Sequence, residues 1–172
     1  MKNSPATKRS CVRDGDIVYM DDHVLACADA TTLLLSKVLD SDIDLILTDP
    51  PYAIDYVESK RGMQGVSVDK DIANDEFMTD AEYTHFTKLW MEFATVHLSP
   101  ENSIYVFNSD KMIFALRQAF VDLKIKVSQL IIWVKDRAVI GRLDYLPQHE
   151  LILYGWKGKH DFTRGKAKSV IF

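Results

Sequence analysis

Asp49-Pro50-Pro51-Tyr52 follows directly on the apolar run Leu45-Ile46-Leu47-Thr48. A carboxylate can accept hydrogens from a bound polar group and a tyrosine ring offers it a flat face, so these four residues could hold a ligand. Neither proline donates to a sheet ladder, and Pro50 restricts the residue before it. A strand must therefore end near Asp49 and hold a rigid loop at its carboxyl edge. In open α/β sheets ligands bind at that edge. Asp29 stands in a comparable place, at the end of Val24-Leu25-Ala26-Cys27-Ala28. Taken singly, each residue has an ordinary use, the acids as caps or turn residues and Tyr52 as a rim aromatic. Their combination asks for more.

Elements that position them can be read along the chain. Ile17–Met20 and Val24–Ala28 flank a tight polar turn, Asp21-Asp22-His23, and read as two short strands. Leu34, Leu35 and Val38 recur at helical spacing within Thr31–Leu39, which predicts a crossover helix between Asp29 and the Asp49 strand. The stretch Ala53–Phe77, with Gly62 and Gly65, is too long for an ordinary connection and reads as a lid, a binding loop or disorder, with Asn74-Asp75 a solvated part of it. Thr79 or Asp80 caps a helix running to Leu98, with Phe86, Leu89, Trp90, Phe93, Ala94 and Leu98 on the core side, and Ser99-Pro100 ends it. Ser103–Asn108 is a strand, Lys111–Leu123 a helix, and Val127–Val134 a strand whose Trp133 is assigned, like Trp90, to the core. Glu150–Trp156 is a last strand that can pair with Val127–Val134 as a long-looped hairpin. Alternation of this kind predicts an α/β fold, its sheet mostly parallel with a terminal antiparallel hairpin.

A chain of 172 residues, 47% apolar, can bury a core, and no polar linker divides it. One domain is expected over residues 14–172, after a basic tail at 1–13 that carries Lys2, Lys8, Arg9 and Arg13. No apolar run approaches the roughly eighteen residues of a membrane span, and no signal peptide is apparent, which predicts a cytoplasmic protein. The 2 cysteines, Cys11 and Cys27, read as reduced thiols, and no spacing suggests a metal. A net charge of −4 argues against wholesale phosphate binding and leaves local basic segments, at Lys2–Arg13 and Lys157–Lys168, for any nucleic-acid contact.

The Asp49 loop resembles the catalytic motif of amino-directed DNA methyltransferases. Ala28-Asp29-Ala30 before it, and Tyr105-Val106-Phe107, Ile132-Trp133-Val134-Lys135-Asp136, Asp144-Tyr145 and Gln148-His149-Glu150 followed by Leu151–Lys157 after it, resemble in that order the circularly permuted beta group. The resemblance implies a partial Rossmann-like methyltransferase sheet, S-adenosyl-L-methionine as methyl donor and DNA as substrate. It makes Asp49, Pro50, Pro51 and Tyr52 the catalytic residues, and Asp29 and Asp49 the cofactor contacts. The residue types suit such a reaction. An exocyclic amine has its lone pair delocalised into the ring, and acceptors such as the Asp49 carboxylate and the Pro50 carbonyl would make it more nucleophilic. A base flipped from the duplex is held between aromatic or apolar groups, and Tyr52 supplies such a face. Displacement at a sulfonium needs no covalent enzyme intermediate, so Cys27 reads as a packed strand residue and a C5-cytosine mechanism is disfavoured. His149 reads as a structural histidine rather than a base.

The family's glycine-containing cofactor loop has no counterpart here: neither FxGxG nor GxGxxG occurs, and the 7 glycines are scattered. Two functions follow as expectations. One is an adenine-N6 methyltransferase or its amino-terminal part, with cytosine-N4 as the alternative target. The other is a non-catalytic remnant that binds DNA or a partner. Either way a missing segment or a second chain would complete the fold. The chain alone should bind S-adenosylmethionine poorly and DNA weakly, through its basic segments. The topology implied by the resemblance further predicts that Leu45–Thr48, Ser103–Phe107, Val127–Val134 and Leu151–Trp156 share one sheet. Val24–Ala28 should pair at most with Ile17–Met20.

Overall fold

The computed structural model describes residues 12–31, 38, 42–55, 74–140, 143–160, 162 and 165–172. Ten elements form among them: β1 (Ile17–Met20), β2 (His23–Ala26), β3 (Ile43–Thr48), α1 (Asp80–Thr95), β4 (Leu98–Asn108), α2 (Ile113–Asp122), β5 (Lys126–Val134), β6 (His149–Trp156), β7 (Lys159–His160) and β8 (Val170–Ile171). The helix expected over Thr31–Leu39 and most of the Ala53–Phe77 stretch lie outside the described residues.

The main sheet runs β3-β4-β6-β5-β8, with β7 paired to the start of β4. β3 is parallel to β4, β6 is antiparallel to both β4 and β5, and β8 is parallel to β5. The strands on this path therefore point the same way except β6, which agrees with a mostly parallel sheet closed by a hairpin. That hairpin is the expected one, with Val134 opposite His149 and Lys126 opposite Trp156. Among the described residues, β1 and β2 pair only with each other in a separate two-stranded sheet, also as expected.

One face of the sheet carries the core. Ile46, Ile104, Val106 and Leu153 are buried against Tyr83, Trp90, Met91 and Ala94 of α1 and against Ala115, Leu116 and Phe120 of α2. The other face holds Trp133, which is 40% exposed and meets Phe107 edge-on at 6.1 Å, so its assignment to the core is corrected. Strand alternation sends Trp133 away from the helices while Ile132 points toward them.

α1 begins where its capping box dictates. The Thr79 hydroxyl accepts from Glu82 N at 3.3 Å, and the Glu82 carboxylate accepts from Thr79 N at 2.8 Å. These two bonds satisfy two of the amide groups left open at a helix start. Thr79→Ala should destabilise the chain by about 1 kcal/mol, read as a lower urea midpoint with an unchanged slope. The buried stripe is Tyr83, Thr87, Trp90, Met91 and Ala94. Leu89 lies off it and is 38% exposed, so the expected core face was rotated by part of a turn.

The expected helix end is also corrected. α1 stops at Thr95, and Leu98, Ser99 and Pro100 begin β4. A proline is tolerated there because the ladder is irregular: Ile43 pairs with Leu98, but Leu45 pairs with Ser103. The fully buried Asn102 stitches this stretch. Its amide donates to the carbonyls of Ser99 at 2.8 Å and Lys157 at 2.6 Å, and its carbonyl accepts from Lys157 N at 3.0 Å.

Candidate active site

β3 ends at Thr48, and the chain then turns through Asp49-Pro50-Pro51-Tyr52 at the carboxyl edge of the sheet. Beyond Tyr52 the backbone takes left-handed values at Ala53 (φ 53°) and Asp55 (φ 53°), a conformation disfavoured for residues with a Cβ. Surrounding contacts hold it there. Ala53 is completely buried, and Asp55 N donates to the Asp75 carbonyl at 2.7 Å. Asn74 is exposed as expected, but Asp75 is only 5% exposed, which corrects its reading as part of a solvated loop.

Beneath the loop lies a buried polar relay. Asn108, at the end of β4, donates to the Tyr83 hydroxyl at 2.8 Å, and that hydroxyl donates to the Pro51 carbonyl at 3.1 Å. Both side chains are fully buried, and burial pushes the Tyr83 phenol up to about 12. A neutral phenol inside the core thus fixes the loop's backbone from below. Neither residue was anticipated from the sequence. The available signal was a Tyr and an Asn among mostly apolar residues on the inward faces of α1 and β4.

Above the relay, Tyr52 joins two acids. Its half-buried hydroxyl lies 2.7 Å from Asp49 Oδ1 and 3.0 Å from Glu150 Oε2. Burial raises the phenol well above its ordinary value, and the bond to Asp49 and the negative charges of Glu150 and Asp49 raise it further. Glu150 is the second residue of β6, and its other oxygen, Oε1, is paired with Lys135 Nζ. Lys135 follows β5 directly and is tied to the facing strand by its N–H, which donates to the Gln148 carbonyl at 2.8 Å. The hairpin therefore delivers an acid and its counter-charge to the Asp49 loop.

Asp29 belongs to the segment that leaves the separate β1–β2 pair. It follows β2, is exposed, and accepts from Thr31 N at 2.8 Å and Thr31 Oγ1 at 2.7 Å, bonds that hold its carboxyl below the usual range. His149 is an exposed residue at the start of β6, opposite Val134. Cys27 is half-buried just beyond β2.

An acid, two prolines and a tyrosine at the carboxyl edge of a mostly parallel sheet, faced by an antiparallel hairpin, is the arrangement that the sequence resemblance implied. The DNA methylase family model matches residues 43–169. The chain belongs to the DNA methylase family. Among known relatives, this chain is 28% identical over 144 residues to the type II methyltransferase M.HpaI of Haemophilus parainfluenzae, which covers 83% of this chain and 41% of that protein. It is 32% identical over 103 residues to the type II methyltransferase M2.LlaDCHI of Lactococcus lactis subsp. cremoris, covering 59% of this chain and 38% of that one. The chain thus spans about two-fifths of the length of these relatives. A solved structure of M1.HpyAVI shares its fold, with a TM-score of 0.52 at 15% identity over 83% of this chain and 63% of that chain. Among the described residues no helix is long and apolar enough to cross a membrane.

Proposed function

We propose that residues 14–172 form the target-base half of an adenine-N6 DNA methyltransferase, and that Asp49, Pro50, Pro51 and Tyr52 are its catalytic residues. The observation that carries this reading is the Asp49-Pro50-Pro51-Tyr52 loop, fixed at the sheet's carboxyl edge by the Tyr83 bond to Pro51. Asp49 is exposed, so its carboxylate is accessible to an incoming amine. Together with the Pro50 carbonyl it accepts the amine hydrogens, which concentrates the lone pair on nitrogen and stabilises the positive charge that develops as a methyl group is received. The Tyr52 ring provides the face against which the flipped base rests. An aspartate at the head of the motif favours adenine, since a serine is commoner there in cytosine-N4 enzymes. DNA contact is assigned to the basic segments at either end, of which Lys159, Lys166 and Lys168 are exposed.

S-adenosyl-L-methionine is the methyl donor that the family implies, with Asp29 and Asp49 as its proposed contacts. The described residues do not fit it as a complete site. Close backbone approach to such a cofactor calls for glycine. Of the described glycines, Gly155 packs on Lys126 and Phe120, Gly158 faces Pro100, and Gly15 and Gly165 meet nothing within 4 Å. The donor cradle is therefore assigned to residues beyond those described, in this chain, a longer polypeptide or a second chain.

Incubating the chain, in the form that carries a complete donor site, with unmethylated DNA and isotope-labelled S-adenosylmethionine, then resolving the nucleosides by mass spectrometry, tests this reading. N6-methyladenine is the expected product. N4-methylcytosine would replace the adenine assignment, and label in neither base, with DNA binding retained, would favour the non-catalytic alternative.

A further inference from the structure

We propose that Glu150, anchored by Lys135, is a positioning residue that takes over the Tyr52 hydroxyl when the target amine occupies Asp49, a role that rests on the methyltransferase reading above. A phenol has one proton, and Tyr52 has a carboxylate oxygen on either side of it, at 2.7 Å on Asp49 and 3.0 Å on Glu150. It can donate to only one of them at a time. While it donates to Asp49, it draws on the same negative charge that an incoming amine needs. Moving the proton's direction by rotation about the C–O bond, with the ring stationary, hands the bond to Glu150 and leaves Asp49 to the substrate.

The two acceptors are built for unequal tasks. Asp49 lies exposed in the loop, open to a new donor. Glu150 stands on the sheet, followed by the buried run Leu151–Tyr154, and only 19% of its side chain is exposed. Its second oxygen is neutralised by Lys135, on the neighbouring strand's exit. A half-buried phenol left without an acceptor would carry an appreciable penalty, and Glu150 spares Tyr52 that state without moving the ring. The face offered to the base thus stays in place through substrate entry.

Two measurements separate this role from a structural one. In the first, the chain is labelled with [13Cζ]tyrosine and the Tyr52 signal is identified by its loss in Tyr52→Phe. Near pH 10, where exposed tyrosines are about half ionised, Tyr52 should remain protonated. Glu150→Gln and Asp49→Asn should each raise its ionised fraction. A response to Asp49→Asn alone would overturn the proposal. This arm requires no turnover, so it stands apart from the methyltransferase reading.

The second arm is a double-mutant cycle on methyl transfer, in whichever form of the methylase turns over. Glu150→Ala should lower kcat roughly tenfold, the scale of one lost hydrogen bond, and Glu150→Gln should recover most of it. In a Tyr52→Phe background Glu150→Ala should have little effect, because no hydroxyl remains to compete for Asp49. An undiminished loss in that background would mean that Glu150 acts by another route.

Discussion

Asp49→Ala should lower methyl transfer by about 10²- to 10³-fold, the range seen when one preorganised electrostatic partner of a transition state is removed. Asp49 is exposed and lies beyond the last residue of β3, so its truncation removes no core contact. The fold should therefore persist, and the loss should fall on kcat rather than on DNA affinity. Asp49→Asn is expected to fall between the two, because the amide keeps one acceptor oxygen and loses the charge. Single-turnover kinetics with saturating cofactor measure the effect directly, in this chain or in the chain joined to its donor half. Turnover at the native rate in Asp49→Ala would remove the residue from the mechanism and leave the loop a structural turn.

Gly155→Ala carries the largest expected cost to stability. A Cβ at this position would lie 2.3 Å from the Lys126 carbonyl oxygen and 3.2 Å from Phe120 Cε1. Neither neighbour can yield cheaply. The oxygen belongs to the β5 backbone, where the ladder shifts register between Val127 and Gln129, and Phe120 is fully buried under α2. β6 would have to move away from β5, at a cost of about 3 kcal/mol or more. Urea unfolding followed by far-ultraviolet circular dichroism should show a large drop in midpoint, or no folded baseline. Native stability in Gly155→Ala would contradict the packing of β6 against β5 and α2.

Much of this arrangement could be read from local chemistry. Two prolines ended β3 and marked the loop, apolar runs at 127–134 and 150–156 gave the hairpin, and the polar turn at Asp21-Asp22 gave the β1–β2 pair, whose isolation followed from the family resemblance. What could not be read depended on closure in three dimensions. Tyr83 and Asn108 are separated by 25 residues, and each alone resembles a stray polar residue on an apolar face. The Tyr52 contact with Glu150 spans 98 residues, so the sequence could show both residues in their motifs without showing that they meet. Leu89 was misplaced because a helical stripe of mixed apolar residues can be drawn one position off when Tyr83 and Thr87 are not counted as interior. Pro100 looked like a helix stop because the bulge that admits it depends on Asn102 reaching Lys157 across the sheet.

The reversed strand has a consequence for how the molecule is made. β6 lies between β4 and β5 although it is synthesised after both. A nascent chain that has emerged only through β5 can pair β3 with β4, but it leaves a vacant position between β4 and β5. Joining β5 to the rest of the sheet must wait for residues up to Trp156, and Tyr52 meets Glu150 only when β6 has been inserted. Such non-local pairing slows folding and leaves strand edges open to wrong partners in the interval. Production of this chain should accordingly be most vulnerable to aggregation during elongation, and truncations before β6 should accumulate as insoluble or proteolysed material.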